Sequence, residues 1–486
     1  MSTSGLVVAW APGSGTIWVM RTLPQQTTVD RAALADLHRS FRGPVVCLGD
    51  PDYEETRRIW NAAIDRRPAL IARCTGVDDV VAAVRFARER DLLTAVRGGG
   101  HNVSGSALCD GGMVVDLSLL RRVEVRPNKR IAVVQPGTRL GELDRATQPF
   151  GLAVPAGINS VTGMAGLTLG GGIGWLMRRY GLTCDSLMAA DVVTADGELV
   201  RASETENPDL LWGLRGGGGN FGIVTSFEFR LAETGPDVAS GVVFYPADRA
   251  REVLAAYAEF AASAPDEVTT IVSLRRAPRL AAIPEAAWGL PVVAVAACHA
   301  GSPEAGERAL DPLRRLGTPV ADLLMVKPFL AQQALFDATV PPGWLYYWKS
   351  QYLRPLDAEA IDVICARAWS FAAPMSYSLL FQMGGAITSV SDDDCAFSGR
   401  SAPFAININN VQRDPADPDD TVWVRDFHAA VQPFGSGGVY VNFVGNEGEQ
   451  RVREAYGDAK WTHLAALKRR WDPDNYLRVN QNIAPG

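Results

Sequence analysis

Three glycine-rich runs, Gly98–Gly100, Gly170–Gly174 and Gly216–Gly222, crowd into the first half of the chain, each beside a strand-like apolar segment. Only glycine lets bare backbone N–H groups come close to a pyrophosphate, so the three together predict a bound dinucleotide. None matches GxxxxGK[ST], which argues against an ATP-type phosphate loop. A nicotinamide-binding βαβ unit is disfavoured as well. The first run leads through a loop into the strand-like Met113-Val-Val-Asp116, and no acidic residue follows in the required frame. That run is Arg97-Gly-Gly-Gly-His-Asn-Val-Ser-Gly105, and His101 alone of five histidines sits in a polar glycine loop, free to meet a ligand. His38, His299, His428 and His463 lie in helical or strand patterns and read as packing or surface residues.

A chain of 486 residues exceeds one hydrophobic core, so two or three domains are expected. Val77, Val80, Val81 and Val84 share a helical face, and Leu92–Val96 reads as a strand. Hairpins are expected at Pro127-Asn-Lys129 and at Asp196-Gly197, which makes the first part α+β. From about Glu233 the glycines thin out. Strands such as Val242–Tyr245, Thr269–Ser273, Val292–Ala296 and Leu345–Tyr352 alternate with helical stretches that would cover one face of an antiparallel sheet and leave the other for a ligand. A net charge of −7 gives no broad positive field, so neither nucleic acid nor a membrane is expected as partner, and a small molecule is. The seven scattered cysteines lack ligand or disulfide spacing, pointing to reduced thiols in a cytoplasm and to no metal site. Leu6–Met20 fails as a signal peptide and reads as a loose leader.

Four ordered motifs then carry a resemblance. They are the His101 loop, Gly166-Leu-Thr-Leu-Gly-Gly-Gly-Ile-Gly-Trp-Leu-Met-Arg-Arg-Tyr-Gly-Leu-Thr183, Asp209-Leu-Leu-Trp-Gly-Leu-Arg-Gly-Gly-Gly-Gly-Asn-Phe-Gly-Ile-Val-Thr225 and Trp471-Asp-Pro-Asp-Asn-Tyr-Leu-Arg-Val-Asn-Gln-Asn-Ile483. The chain resembles, from about Asp52 to Pro485, the FAD-linked oxidases of the vanillyl-alcohol oxidase superfamily in their berberine-bridge-enzyme-like branch. Its texture is similar to bacterial members, among them 6-hydroxynicotine oxidases and an enterocin-pathway oxidase. The resemblance implies an α+β fold with a PCMH-type FAD-binding domain over residues 45–233, after an N-terminal leader and helix over 1–44. It implies an inserted substrate domain over 234–431 and a C-terminal segment, 432–486, returning to the FAD domain.

It further implies an 8α-histidyl link from His101 to FAD. Arg97, Gly98, Gly99, Gly100, Asn102, Val103, Ser104, Gly157, Thr162, Gly163, Gly166, Gly222 and Ile223 would hold the cofactor, with Asn480 and Gln481 approaching from the C-terminal segment. Many relatives add a second link from a cysteine in a Pro-Ala-Gly-x-Cys pattern. Here Pro155-Ala-Gly-Ile-Asn159 places asparagine there, so a single link is expected. The family's tyrosine base maps onto Tyr456, with Lys349 as a candidate cation to assist it, because a phenol of ordinary pKa about 10 needs help to take a proton. Tyr377, Leu379 and Phe381 alternate onto one strand face and would line the substrate cavity. Relatives that handle alkaloids carry acidic residues on or after this strand, whereas Leu379, Thr388 and Ser389 stand nearby here. An alcohol, phenol or sugar-like substrate is therefore favoured over an amine. The expected activity is hydride abstraction to FAD with reoxidation by O2, in a monomer or homodimer. A dehydrogenase using another acceptor and a non-catalytic flavin-binding protein are the alternatives.

Overall fold

The computed structural model describes residues 31–486; the expected leader lies outside the described residues, which begin with the helix Arg31–Ser40. A four-stranded sheet follows, in the spatial order Val45–Cys47, Leu70–Arg73, Met113–Asp116, Thr94–Arg97, its last three strands parallel. The helix Val77–Glu89 covers it, burying Val80, Ala83, Val84 and Ala87 at helical spacing against Leu70, Ala72 and Val115. Of the four valines expected on that face, Val77 and Val81 are only half-buried at its margin.

A five-stranded antiparallel sheet comes next, ordered Val123–Arg126, Ile131–Val134, Ile223–Arg230, Leu187–Val193, Leu199–Ser203. Both expected hairpins are present. The second turns with Gly197 at φ +74°, a left-handed conformation that a side chain resists.

Residues 237–412 build an eight-stranded sheet. Seven strands run in the order Ala321–Asp322, Asp237–Pro246, Pro291–His299, Val268–Arg276, Tyr377–Gln382, Phe404–Gln412 and Leu345–Leu353, all antiparallel, and Met325–Pro328 pairs beside the first of them on Asp237–Pro246. Period-two alternation sends Val272, Leu274, Leu380, Ile406 and Ile408 under the helices Ala250–Ser263, Ala358–Arg367 and Thr421–Val431. The opposite face presents Phe244, Ile271, Tyr377, Leu379 and Phe381 toward Ile173, Trp175 and Tyr440.

The C-terminal segment is tied back onto the third glycine run. Helix Asp458–Trp471 carries Lys468, fully buried, whose ammonium donates to Asn220 O (2.9 Å), Leu477 O (3.0 Å) and Asp472 Oδ2 (2.6 Å). Asp472 in turn accepts from the backbone N–H groups of Tyr476 and Leu477. Among the described residues no helix is long and apolar enough to cross a membrane.

Candidate active site

A cavity of about 300 Å³ lies where the open face of the eight-stranded sheet meets the glycine-rich loops. Gly98–Asn102, Gly157, Thr162, Gly163, Gly166, Gly222 and Ile223 line one side, joined by Asn480 and Gln481 from the C-terminal segment. Tyr377, Leu379 and Phe381 line the other. No Asp, Glu, Lys or Arg lines it.

The His101 loop is held by close backbone approach and by an aromatic stack. A Cβ on Gly99 would sit 2.4 Å from Gly163 Cα, so two loops cross there with no room for a side chain. Trp60 stacks on the His101 ring with centroids 4.2 Å apart, and Tyr346 stacks on the other face of Trp60 at 3.8 Å. Asn61 completes this clasp: its amide donates to Val103 O and Tyr346 O and accepts from Tyr346 N–H. His101 is therefore fixed in orientation, yet its Nε2 is buried without a hydrogen-bond partner among the described residues. Burial pushes the imidazole down to about 4, so the ring is neutral at pH 7.

Tyr440 brings a phenol to the cavity wall. Its phenol oxygen accepts from Asn442 Nδ2 (2.7 Å), Gly172 N–H (2.9 Å) and Ile173 N–H (3.4 Å). Burial pushes the phenol up to about 12, against those donors, which favour the phenolate. Gly172, at φ +94°, thus turns its N–H toward a side chain, so part of the second glycine run serves Tyr440 rather than a phosphate.

Several residues expected at the site lie elsewhere. Tyr456 lies outside the cavity wall: it is buried in the core beside the five-stranded sheet, its hydroxyl donates to Gly216 O at 3.3 Å, and burial raises its pKa. Lys349 pairs with Glu447, because strand alternation points it away from the cavity that its neighbour Trp348 lines. Arg97 is a structural clamp. It grips Asp116 through Nε (3.0 Å) and a terminal nitrogen (2.5 Å) and donates to Thr56 O; burial works against the Asp116 carboxylate, but these bonds hold it below the usual range. Val103 and Ser104 stand behind the wall, Ser104 N–H bonding Asn102 Oδ1, while Ser106 and Ala107 reach the cavity instead. Trp60, Tyr440, Asn442, Asn407 and Asn409 were not anticipated. Only Asn407 and Asn409 left a signal, alternating within the apolar strand Phe404–Gln412; both Oδ1 atoms are buried and unpartnered.

The arrangement fits a flavin dinucleotide. His101 presents an orphaned nitrogen, and a Cβ at Gly166 or Gly219 would meet nothing within 4 Å, leaving bare backbone facing open space. Residues 68–203 match the FAD binding domain family and residues 439–484 the berberine and berberine-like family. An FAD-linked oxidoreductase of Dictyostelium discoideum is 32% identical over 453 residues, spanning 92% of this chain and 95% of its own. The chain belongs to the berberine-bridge-like FAD-linked oxidoreductases. This oxidoreductase also superposes on 6-hydroxy-D-nicotine oxidase from Arthrobacter nicotinovorans with a TM-score of 0.81 at 28% identity, covering 92% of this chain and 99% of that one. Glucooligosaccharide oxidase from Acremonium strictum, described as carrying 6-S-cysteinyl, 8α-N1-histidyl FAD, shares the fold at a TM-score of 0.81 and 22% identity, over 94% of this chain and all of that one. FAD is accordingly the enzyme's cofactor, in a PCMH-type α+β fold.

Proposed function

We propose that this enzyme is an oxidase holding FAD through one covalent bond to His101 and oxidising a C–H bond of an alcohol, phenol-type or sugar-like small molecule. The carrying observation is His101 itself: oriented by Trp60, neutral, and with its Nε2 buried and without a partner among the described residues. The glycine loops around Gly98–Gly100, Gly163 and Gly222, with Asn480 and Gln481, would hold the cofactor. Asn159 lines the cavity where doubly linked relatives have cysteine, which supports a single link. When bound, the flavin supplies a hydride acceptor that dioxygen reoxidises with release of hydrogen peroxide.

The protein's part is proton removal and exclusion of water. Tyr440, not Tyr456, takes the proton of the substrate hydroxyl, acting as phenolate: three N–H donors surround its oxygen and hold the negative charge that the accepted proton then neutralises. Tyr377, Leu379 and Phe381 seat the substrate on the open sheet face.

Acid precipitation tests the link. Wild-type protein should carry its yellow chromophore into the pellet and His101→Ala should release it; colour in the wild-type supernatant would refute the covalent bond. Air reoxidation followed by stopped flow tests the oxidase assignment, which reduced enzyme that persists for minutes would exclude.

A further inference from the structure

Four arginines are buried among the described residues, and three are bonded: Arg97 to Asp116, Arg400 to Asp185, and Arg178 to backbone carbonyls of Val268, Met383 and Ala264. Arg275 is the exception. It is 8% exposed, and its guanidinium makes no hydrogen bond or ion pair among the described residues; Nε is fully enclosed and unpartnered. Its one marked neighbour is the Tyr377 ring, 5.6 Å from Cζ. A guanidinium does not deprotonate in a protein, so this is a buried, uncompensated positive charge, which costs stability unless something pairs with it.

The charge borders a small annex of about 20 Å³ that shares Ile158, Asn159, Val340, Tyr377 and Leu379 with the main cavity. Asn159, at the junction, also has a buried Oδ1 without a partner. The main cavity is otherwise free of charged side chains. We propose that Arg275 is a specificity residue that receives a carboxylate of the substrate, so that the enzyme's substrates are carboxylic acids whose neutral, ring-bearing body lies among Tyr377, Phe381 and Trp348. The planar fork of a guanidinium matches a carboxylate through two parallel hydrogen bonds. The annex is sized for one small polar group, which suits a carboxylate better than a bulkier phosphoryl group.

This inference rests on the cavity being the substrate site of a flavoenzyme, and its test is independent of turnover. Isothermal titration calorimetry on the holoenzyme compares 4-hydroxybenzoate with the neutral, near-isosteric 4-hydroxybenzamide. The acid should bind at least tenfold tighter to wild type, Arg275→Met should abolish that preference, and Arg275→Lys should keep part of it. Arg275→Met should also melt no lower than wild type, since it removes an unpaired buried charge. Equal affinities in wild type, a preference that survives Arg275→Met, or no binding of either probe would overturn the assignment. Should Arg275→Met fail to fold, Arg275→Gln carries the same comparison. Failure of the flavoenzyme reading shows separately, as purified wild-type protein without flavin absorbance.

Discussion

Tyr440 and Tyr456 show how little residue type alone says about chemistry. Both are buried tyrosines in the same C-terminal stretch, but Tyr440 OH accepts three N–H bonds at the cavity whereas Tyr456 OH only donates to a carbonyl in a hydrophobic core. Tyr440→Phe should therefore slow anaerobic flavin reduction by roughly 10²–10³-fold at unchanged flavin content, the range expected for loss of a general base. Tyr456→Phe should stay within about twofold of wild type in the same stopped-flow measurement, since only a weak internal bond is lost. His428 offers a second residue-scale test. Burial, then the nearby positive charges of Arg451 and Lys349, push it down to about 4 from an ordinary 6.5. Its folded pKa is depressed, so the unfolded chain binds the proton first as pH falls. The stability contribution is complete above about pH 6.5 and is lost on the way down to about 4, by about 3 kcal/mol. Urea unfolding of His428→Gln should show a correspondingly flatter loss of stability across that window.

At the scale of elements, the C-terminal segment reaches the cavity only because two polar side chains bind it there. Asn220, in the last glycine run, donates to Gln481 O and accepts from Ile483 N–H, while Lys468 bridges Asn220 O, Leu477 O and Asp472. The motif Trp471–Ile483 is polar and rich in Asp, Asn and Pro, and that polarity is a network closed from within. Lys468→Met would leave the Asp472 carboxylate buried without its cation, at a cost of about 3–5 kcal/mol. The urea midpoint should fall accordingly, and Asn480 and Gln481 should lose their place on the cavity wall, detected as faster proteolysis of the C terminus.

Across the whole molecule, the cavity exists because the sheet of residues 237–412 is pinned over the glycine loops by polar links that cross between them. Arg178, from the loop side, reaches the carbonyls of Val268, Met383 and Ala264, while Arg400 returns from the sheet side to Asp185. The Asn61–Tyr346 clasp adds a third crossing next to His101. Arg178→Ala strands buried carbonyls at the junction and should cost about 3 kcal/mol. Scanning calorimetry should show a lowered melting temperature and a broader transition as the two halves uncouple.

The local patterns were legible without coordinates. Glycine runs beside strands, hairpin turns and period-two alternation are short-range properties of the backbone, and they sufficed for the α+β architecture, the antiparallel sheet with one open face, and the placement of Tyr377, Leu379 and Phe381 on it. His101 stood out for the same reason, as an imidazole in a loop whose neighbours have no side chains. Partnership is long-range and was not legible. Arg97 faces Asp116, Lys349 faces Glu447, and Trp60 stacks on a histidine far along the chain, because strand register and loop crossing bring them together. Which tyrosine meets the cavity, and which arginine is left without a partner, depends on the folded neighbours that surround each polar atom, and those neighbours exist only once the sheets have packed.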